Sequence, residues 1–385
     1  MKIVVSHSDA VDGVDALAEV LAGCREQLGD EKPVAGLMFC SVGYPHEMLA
    51  RGVAEAFPEM PFIGCSTDGE FSSQEGFYND SLVLTIFAGD GFEVTSGVGF
   101  ELGVDTESAV QTAAAMATGD RGIAKLCITT PESMTADADT MVDALSAALE
   151  GTECPIVGGT SGDHRAFGTT YQFCDGKVYS DSIPMLLFWG DFAVSHGVAS
   201  GWRPVGPVHT VTSASGKLVR EIDGRPVMEV FRDYWGDASL GVLGQFPLAV
   251  LDDNDPDDFY LRAVFTTDPE EGSATFAAQV PEGAKVRITE VLRDGILEGS
   301  SQAMQQAIAS FPEGRLPSSA LVFSCAARKW LLGTRVSEEP GVLKAALPEP
   351  RVLSGFYCFG EIAPLQMGSR PRFHNETCVT LLLGD

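Results

Sequence analysis

The chain uses one pattern three times, and that repetition limits the fold more than any other feature. Gly64-Cys65-Ser66-Thr67-Asp68-Gly69-Glu70 precedes the apolar run Leu82-Val83-Leu84-Thr85-Ile86-Phe87-Ala88, closed by Gly89-Asp90. Gly158-Gly159-Thr160-Ser161-Gly162-Asp163 precedes Ile183-Pro184-Met185-Leu186-Leu187-Phe188-Trp189, closed by Gly190-Asp191. Gly355-Phe356-Tyr357-Cys358-Phe359-Gly360-Glu361 precedes Cys378-Val379-Thr380-Leu381-Leu382-Leu383, closed by Gly384-Asp385. Each copy reads as a strand, a Gly-rich polar turn, a variable loop and an apolar strand. Three long copies do not make a solenoid; they predict a fused set of related α/β layers.

Ahead of each turn, strands alternate with helices. Ile3-Val4-Val5, an Asp-led helix through Val14, Leu17, Leu21 and Leu28, a strand at 34–40 and a helix at 45–57 lead to the first turn. The order recurs with strands at 92–98 and 125–129 and helices at 107–117 and 139–149. It recurs again with a strand at 285–289, a helix at 297–311 and a strand at 320–324. Residues 204–284 read differently, as short β segments with one helix at 226–235. The expected fold class is therefore α/β: two domains with mixed sheets, built from three related β-α-β-α-β-β units plus a β-rich insertion. The first domain spans 1–203, with units 1–90 and 91–203. The second spans 204–385, with the β-rich part at 204–284 and the third unit at 285–385.

The formal charge of −29 over 385 residues argues against nucleic acid, whose phosphates need clustered Lys and Arg, and against anionic membrane surfaces. It reads as a solubility device. No apolar run has the length of a membrane span and no signal-peptide core opens the chain, so a cytoplasmic protein is expected. The nine cysteines are widely spaced without Cys-x-x-Cys, which predicts reduced, buried thiols. The acidic run 252–258 lacks the central Gly and closing Glu of a calcium loop and reads as a solvated loop.

The ordered set of motifs resembles the FIST family, a sensory domain with N-terminal and C-terminal parts. The resemblance rests on the first two Gly-rich turns, Ser195-His196-Gly197 and Trp202-Arg203-Pro204-Val205-Gly206. It continues through Glu221-Ile222-Asp223-Gly224-Arg225-Pro226, Tyr260-Leu261-Arg262, Ser324-Cys325-Ala326-Ala327-Arg328, the third turn and Phe373-His374-Asn375-Glu376-Thr377. It covers nearly the whole chain. It implies intracellular signal transduction with a small ligand, amino acids being the suggested class, and a separate partner such as a histidine kinase or chemotaxis protein. Some members resemble haem-binding nitric-oxide sensors, which makes non-covalent haem b the alternative cofactor, with His196 and His374 as candidate axial ligands.

For ligand capture, the turns offer backbone N–H groups at Ser66, Thr67, Gly159, Thr160 and Ser161. Arg262 and Arg328 flank apolar runs and need partners if buried. One reading pairs them with Asp68, Glu70 or Glu361. The other keeps an arginine for a ligand carboxylate and Glu361 for its ammonium. Cys325 and Asn375 join the ligand-binding set through the matching segments. The absence of G-x-G-x-x-G and Walker sequences argues against nucleotide binding. A Cys-dependent hydrolase or transferase is the other alternative, with Arg328 lowering the thiol pKa of Cys325 and His374 as base. Ser66 and Ser161 lack the second glycine of a nucleophile elbow. No metal site is expected.

Overall fold

The computed structural model describes residues 1–236, 246–252, 259–349 and 351–385. The first ninety residues form β1 (Lys2–Ser8), α1 (Gly13–Leu28), β2 (Pro33–Ser41), α2 (His46–Ala56), β3 (Phe62–Thr67), a hairpin of β4 (Glu70–Ser72) and β5 (Gly76–Tyr78), and β6 (Leu82–Ala88). Next come β7 (Phe92–Phe100), α3 (Thr106–Thr118), β8 (Leu126–Thr129), α4 (Ala138–Ala148), β9 (Ile156–Gly159), a hairpin of β10 (Gln172–Cys174) and β11 (Lys177–Tyr179), and β12 (Ser182–Gly190). Asp12, Asp105 and Asp137 cap α1, α3 and α4 by accepting first-turn N–H groups, as short acidic side chains do at helix starts.

β13 (Ala193–Ala199) is followed by the β-rich part: β14 (Arg203–Ser215), β15 (Leu218–Ile222), β16 (Arg225–Pro226), α5 (Val227–Trp235), β17 (Leu248–Leu251), β18 (Phe259–Arg262), β19 (Val264–Asp268), β20 (Ser273–Phe276) and β21 (Lys285–Glu290). The chain ends with α6 (Arg293–Ala309), β22 (Pro317–Cys325), α7 (Ala326–Leu332), α8 (Glu338–Ala346), β23 (Val352–Cys358), a hairpin of β24 (Glu361–Pro364) and β25 (Pro371–His374), and β26 (Cys378–Gly384). Residues 253–258 of the acidic run lie outside the described residues.

The result is a two-domain α/β fold with mixed sheets. Three six-stranded sheets make the larger body, and their strand orders correspond: β1-β6-β2-β3, β7-β12-β8-β9 and β13-β26-β22-β23. One pair in each is parallel, β2 with β3, β8 with β9 and β22 with β23. Each sheet is completed by a hairpin from a different stretch of chain. β10–β11 joins the first sheet, β24–β25 the second and β4–β5 the third. The strands of the β-rich part form a separate antiparallel sheet, β18-β17-β21-β14-β15-β20-β19, with β16 on β15. β13, read from sequence with 91–203, pairs with the C-terminal β26 instead. The opening strand of the third sheet therefore precedes the β-rich part, and the 285–289 strand belongs to the separate sheet.

The inner faces of the three sheets share one apolar core, with Leu37 and Phe39, Leu126 and Ile128, and Leu321 and Phe323 among its members. Alternate residues on the same strands, Met38 and Cys40, Cys127, and Ala320 and Val322, pack outward beneath helices. Burial on both faces explains why these strands read as unbroken apolar runs.

Gly64, Gly158 and Gly355 open the three turns at matching places. A Cβ would stand 1.8 Å from the Met38 carbonyl oxygen, 1.9 Å from that of Thr129 and 2.2 Å from that of Val322. No side chain fits at these distances, so the glycines answer to a close approach of neighbouring strands. Gly158→Ala is expected to cost on the order of 3 kcal/mol through forced displacement. Urea unfolding measures it, and a loss below about 0.5 kcal/mol, the usual range for a surface change, would show that the strands part freely.

Candidate functional site

The three Gly-rich turns meet and bond to one another. Gly162 N–H donates to Ser66 O at 2.8 Å, Asp68 N–H to Tyr357 O at 2.9 Å and Thr160 N–H to Gly360 O at 2.9 Å. Ser66 N–H reaches Tyr171 O, and Ser161 N–H reaches Pro131 O. Ser66 Oγ donates to Gly162 O, and Ser161 Oγ to Pro131 O and Thr170 Oγ1. A Cβ on Gly159 would stand 2.9 Å from Cys358 Sγ. The expected anion cradle is thus corrected: these turn N–H groups are consumed in holding the turns together.

Beneath the turns run three matching polar networks. Thr67 Oγ1 and Ser81 Oγ donate to Glu70. Ser182 Oγ donates to Gln172 Oε1 at 3.0 Å, and Gln172 Nε2 donates to Ser161 Oγ at 3.0 Å. Cys358 Sγ and Thr377 Oγ1 donate to Glu361 at 3.2 and 2.7 Å. The backbone places agree, since Glu70 pairs with Phe356, Gln172 with Cys65 and Glu361 with Gly159. An uncharged amide fills one of the three places. Burial pushes the carboxyls in the other two up, Glu70 to about 8 and Glu361 to about 7. Glu361 is therefore a structural acid and not the free counter-ion for an ammonium.

Both arginines are engaged. Arg328, wholly buried, donates to Glu339 Oε1 at 2.8 Å, Ser324 Oγ at 3.1 Å, Ile296 O at 2.9 Å and Ser200 O. Burial opposes its charge, and Glu339 more than offsets that, holding the guanidinium above its ordinary value. Arg262 meets Asp139 Oδ1 at 2.8 Å, Gln279 O at 2.9 Å and Phe373 O at 2.9 Å. Asp139 also accepts Gln279 N–H at 2.7 Å. The reading of either as a free carboxylate grip is corrected, and so are the internal partners: Glu339 and Asp139 take the places expected of Asp68, Glu70 or Glu361.

Cys325 is buried, and burial, with Glu361 and Glu376, pushes its thiol well up. Arg328 is spent on Glu339, so the expected activation of a thiolate does not occur. His374 Nε2 bonds Ala363 O at 2.9 Å and His196 Nε2 bonds Pro364 O at 2.8 Å. Burial lowers both, His374 to about 4. In each ring Nε2 is engaged by a backbone carbonyl, and the crease that His374 lines, at about 280 Å³, has no room for a macrocycle. Asn375 Oδ1 accepts Ala263 N–H at 3.4 Å and ties the β-rich part to the β25–β26 connection. Among the described residues no cluster of His, Cys, Asp and Glu fits a metal.

One cavity of about 300 Å³ lies beside Gln27, Ser73, Lys344 and Arg351; another lies in the crease between the two bodies. The crease holds about 280 Å³ and is lined by Trp202, Arg203, Tyr260, Glu298, Gln302 and His374, among others. That lies just below the usual range for ligand pockets, about 300–1,000 Å³, and leaves no room for a macrocycle. Glu298, Gln302 and Gln306 stand four residues apart along α6, on one helix face, and all three line the crease. At its mouth Arg203 Nη2 stands 3.3 Å from Glu298 Oε2, with side chains 74% and 59% exposed. An apolar seam of Trp202, Ala249, Leu261, Ile296, Leu297 and Leu332 joins the bodies alongside. Sequence reasoning missed these lining residues; the four-residue spacing of Glu298, Gln302 and Gln306 is the signal that could have found them, and Arg203 lies in the Trp202–Gly206 segment.

The molecule is thus two joined bodies, one α/β and one β-rich, with a small crease between them. Among family models, a FIST N domain matches residues 34–225 and a FIST C domain matches 228–364. The chain belongs to the FIST family, whose domains are non-catalytic sensory modules for small molecules in signal transduction. An uncharacterized protein of Mycobacterium tuberculosis is 27% identical over 387 residues, covering 95% of each chain. Another, of Mycobacterium bovis, is 25% identical over 407 residues, covering 100% of this chain and 99% of that one. A solved structure of a cyanuric acid hydrolase aligns at a TM-score of 0.37 with 9% identity, over 99% of this chain and 98% of that one, too low a likeness to carry an argument. Among the described residues no helix is long and apolar enough to cross a membrane.

Two predictions follow from the buried groups. Glu339→Gln strands the Arg328 charge and is expected to cost roughly 3–5 kcal/mol in denaturant unfolding; a loss under 1 kcal/mol would contradict the pairing. Glu70 and Glu361 hold their protons more tightly folded than unfolded. Their stabilisation is complete below the unfolded carboxyl pKa of about 4.3 and fades as pH rises through about 7 for Glu361 and about 8 for Glu70. The melting temperature is expected to fall between pH 5 and 8, with a shallower slope in the Glu70→Gln/Glu361→Gln variant. Equal slopes would show that these acids are not the source.

Proposed function

We propose that the chain is an intracellular sensor that binds a small zwitterion, an amino acid or related carboxylate, in the crease between its two bodies. It reports occupancy through a separate partner such as a histidine kinase or chemotaxis protein. The observation that carries the reading is the Arg203–Glu298 pair at the crease mouth. Exposed pairs are worth about 0–1 kcal/mol, so a ligand separates this one at little cost. Its carboxylate takes the arginine fork and its ammonium takes Glu298, while Tyr260 and Trp202 pack against the side chain and Gln302 and Gln306 set its polarity. In this reading the three sheets are copies of one ancestral module, fused and locked, and the β-rich part is the addition that created the crease. The partner class rests on family membership.

Thermal-shift screening of the full chain against the common amino acids tests the proposal. A ligand at a hundred times its Kd adds about 2.7 kcal/mol. Arg203→Ala and Glu298→Ala are each expected to abolish the shift while moving the unliganded melting temperature little, since both side chains are exposed. A flat panel would end the proposal, and so would a hit that survives both substitutions.

A further inference from the structure

A second place joins five distant stretches of chain, beside the converging turns. Asp68 is fully buried. Its Oδ2 accepts Trp330 Nε1–H at 2.7 Å and lies 3.3 Å from Lys329 Nζ. Its Oδ1 has no hydrogen-bond partner, and His164 Nδ1 stops 3.9 Å away, beyond bonding reach. A buried carboxylate oxygen left unpaired is costly. Beside it stands an aromatic cluster drawn from three further segments. Phe167 packs on Phe265 at 5.5 Å, Phe359 at 5.2 Å and Trp330 at 6.2 Å between ring centres. Phe167 and Phe265 are nevertheless 41% and 49% exposed.

The loop over this place is held in an unusual backbone state. His164, Arg165 and Phe167 have φ of 56°, 66° and 50°, a region that costs residues with a Cβ roughly 1–2 kcal/mol each. Asp163 secures the loop by accepting the N–H groups of Phe167 at 3.0 Å and Gly168 at 2.6 Å. The strain sets the Arg165 guanidinium 4.1 Å over the Trp330 ring. The chain thus already presents a cation to this aromatic face, next to a carboxylate with a free oxygen.

We propose that this is a second binding site, for a guanidinium or primary-ammonium group on a short apolar stem, and that Arg165 is a tethered stand-in which the ligand displaces. Cation–π contact with Trp330, worth about 0.5–2 kcal/mol depending on desolvation, and a charge-assisted bond to Asp68 Oδ1 supply the attraction. Phe167 and Phe265 cover the stem. The charge of −29 raises the local concentration of cations. The same chemistry arrives either as a free small amine or as the arginine of a partner protein.

Calorimetric titration of the full chain with butylguanidinium, its uncharged isostere butylurea, and the capped peptide acetyl-Gly-Arg-Gly-amide tests the site. Arg165→Ala is expected to bind butylguanidinium at least tenfold more tightly than the parent chain, with no gain for butylurea. Adding Asp68→Asn is expected to remove the gain. Because that change is buried, Phe265→Ala serves as a second test on an exposed side chain, with about a fivefold loss expected. Peptide affinity equal to or above that of butylguanidinium assigns the site to a partner's arginine; preference for the free cation assigns it to a small molecule. No gain in Arg165→Ala, or equal binding of butylurea, overturns the proposal.

Discussion

Backbone hydrogen bonds between three turns that are distant in sequence hold this molecule shut. Gly162 to Ser66, Asp68 to Tyr357 and Thr160 to Gly360 tie the ends of β3, β9 and β23 together. Each tie holds only if the hairpin that follows its turn crosses into another sheet. The crossing leaves no six-stranded sheet made from one contiguous stretch. Pairings such as Gln172 with Cys65 and Glu361 with Gly159 span roughly a hundred residues or more. Loop closure must be met before such contacts stabilise anything, so slow, strongly cooperative folding follows from the topology.

Tight closure also decides which charges are available. The turns and the strands beneath them are buried, and most charges there are matched or suppressed. Arg328 is matched by Glu339, and Glu70 and Glu361 are held toward the neutral form as Gln172 is by nature. A ligand cannot borrow from such a region without exposing an uncompensated ion. Recognition chemistry is left to the periphery, where Arg203 and Glu298 meet in solvent, and to Asp68, a buried turn acid that keeps one oxygen without a hydrogen-bond partner.

The recurrent part of the fold was legible because Gly64, Gly158 and Gly355 answer to one steric demand and leave one mark in sequence. The double-sided burial of β2 and β22 was legible too, as unbroken apolar runs. Hairpin exchange was not. β4, β10 and β24 are three or four residues long, too short for a period to declare a partner. The start of the third sheet was hidden because the β-rich part separates β13 from α6, and the eye follows contiguity. Arg262 and Arg328 stood out as charges needing partners, which is correct physics. Their partners, Asp139 and Glu339, lie on helical segments whose acids look like any solvated face, and 123 residues separate Arg262 from its carboxylate.

That long-range pair bears on how occupancy of the crease would be felt elsewhere. The β-rich body is fastened at one edge to the start of α4, through Arg262 and Gln279 on Asp139 and through Gln279 on Asp137. At another edge it meets α6 through the apolar seam and the crease. One edge is fixed by a desolvated ion pair and the other by side chains around a cavity, so the second edge is the one with freedom to adjust. Under the proposed function, a guest that replaces solvent in the crease would draw β18 and α6 together about the fixed edge. α6 packs directly on the seam side of Arg328, whose guanidinium bonds the α6 carbonyl of Ile296, so such a displacement would reach the α7–α8 face. A partner reading that face would sense the ligand without touching it.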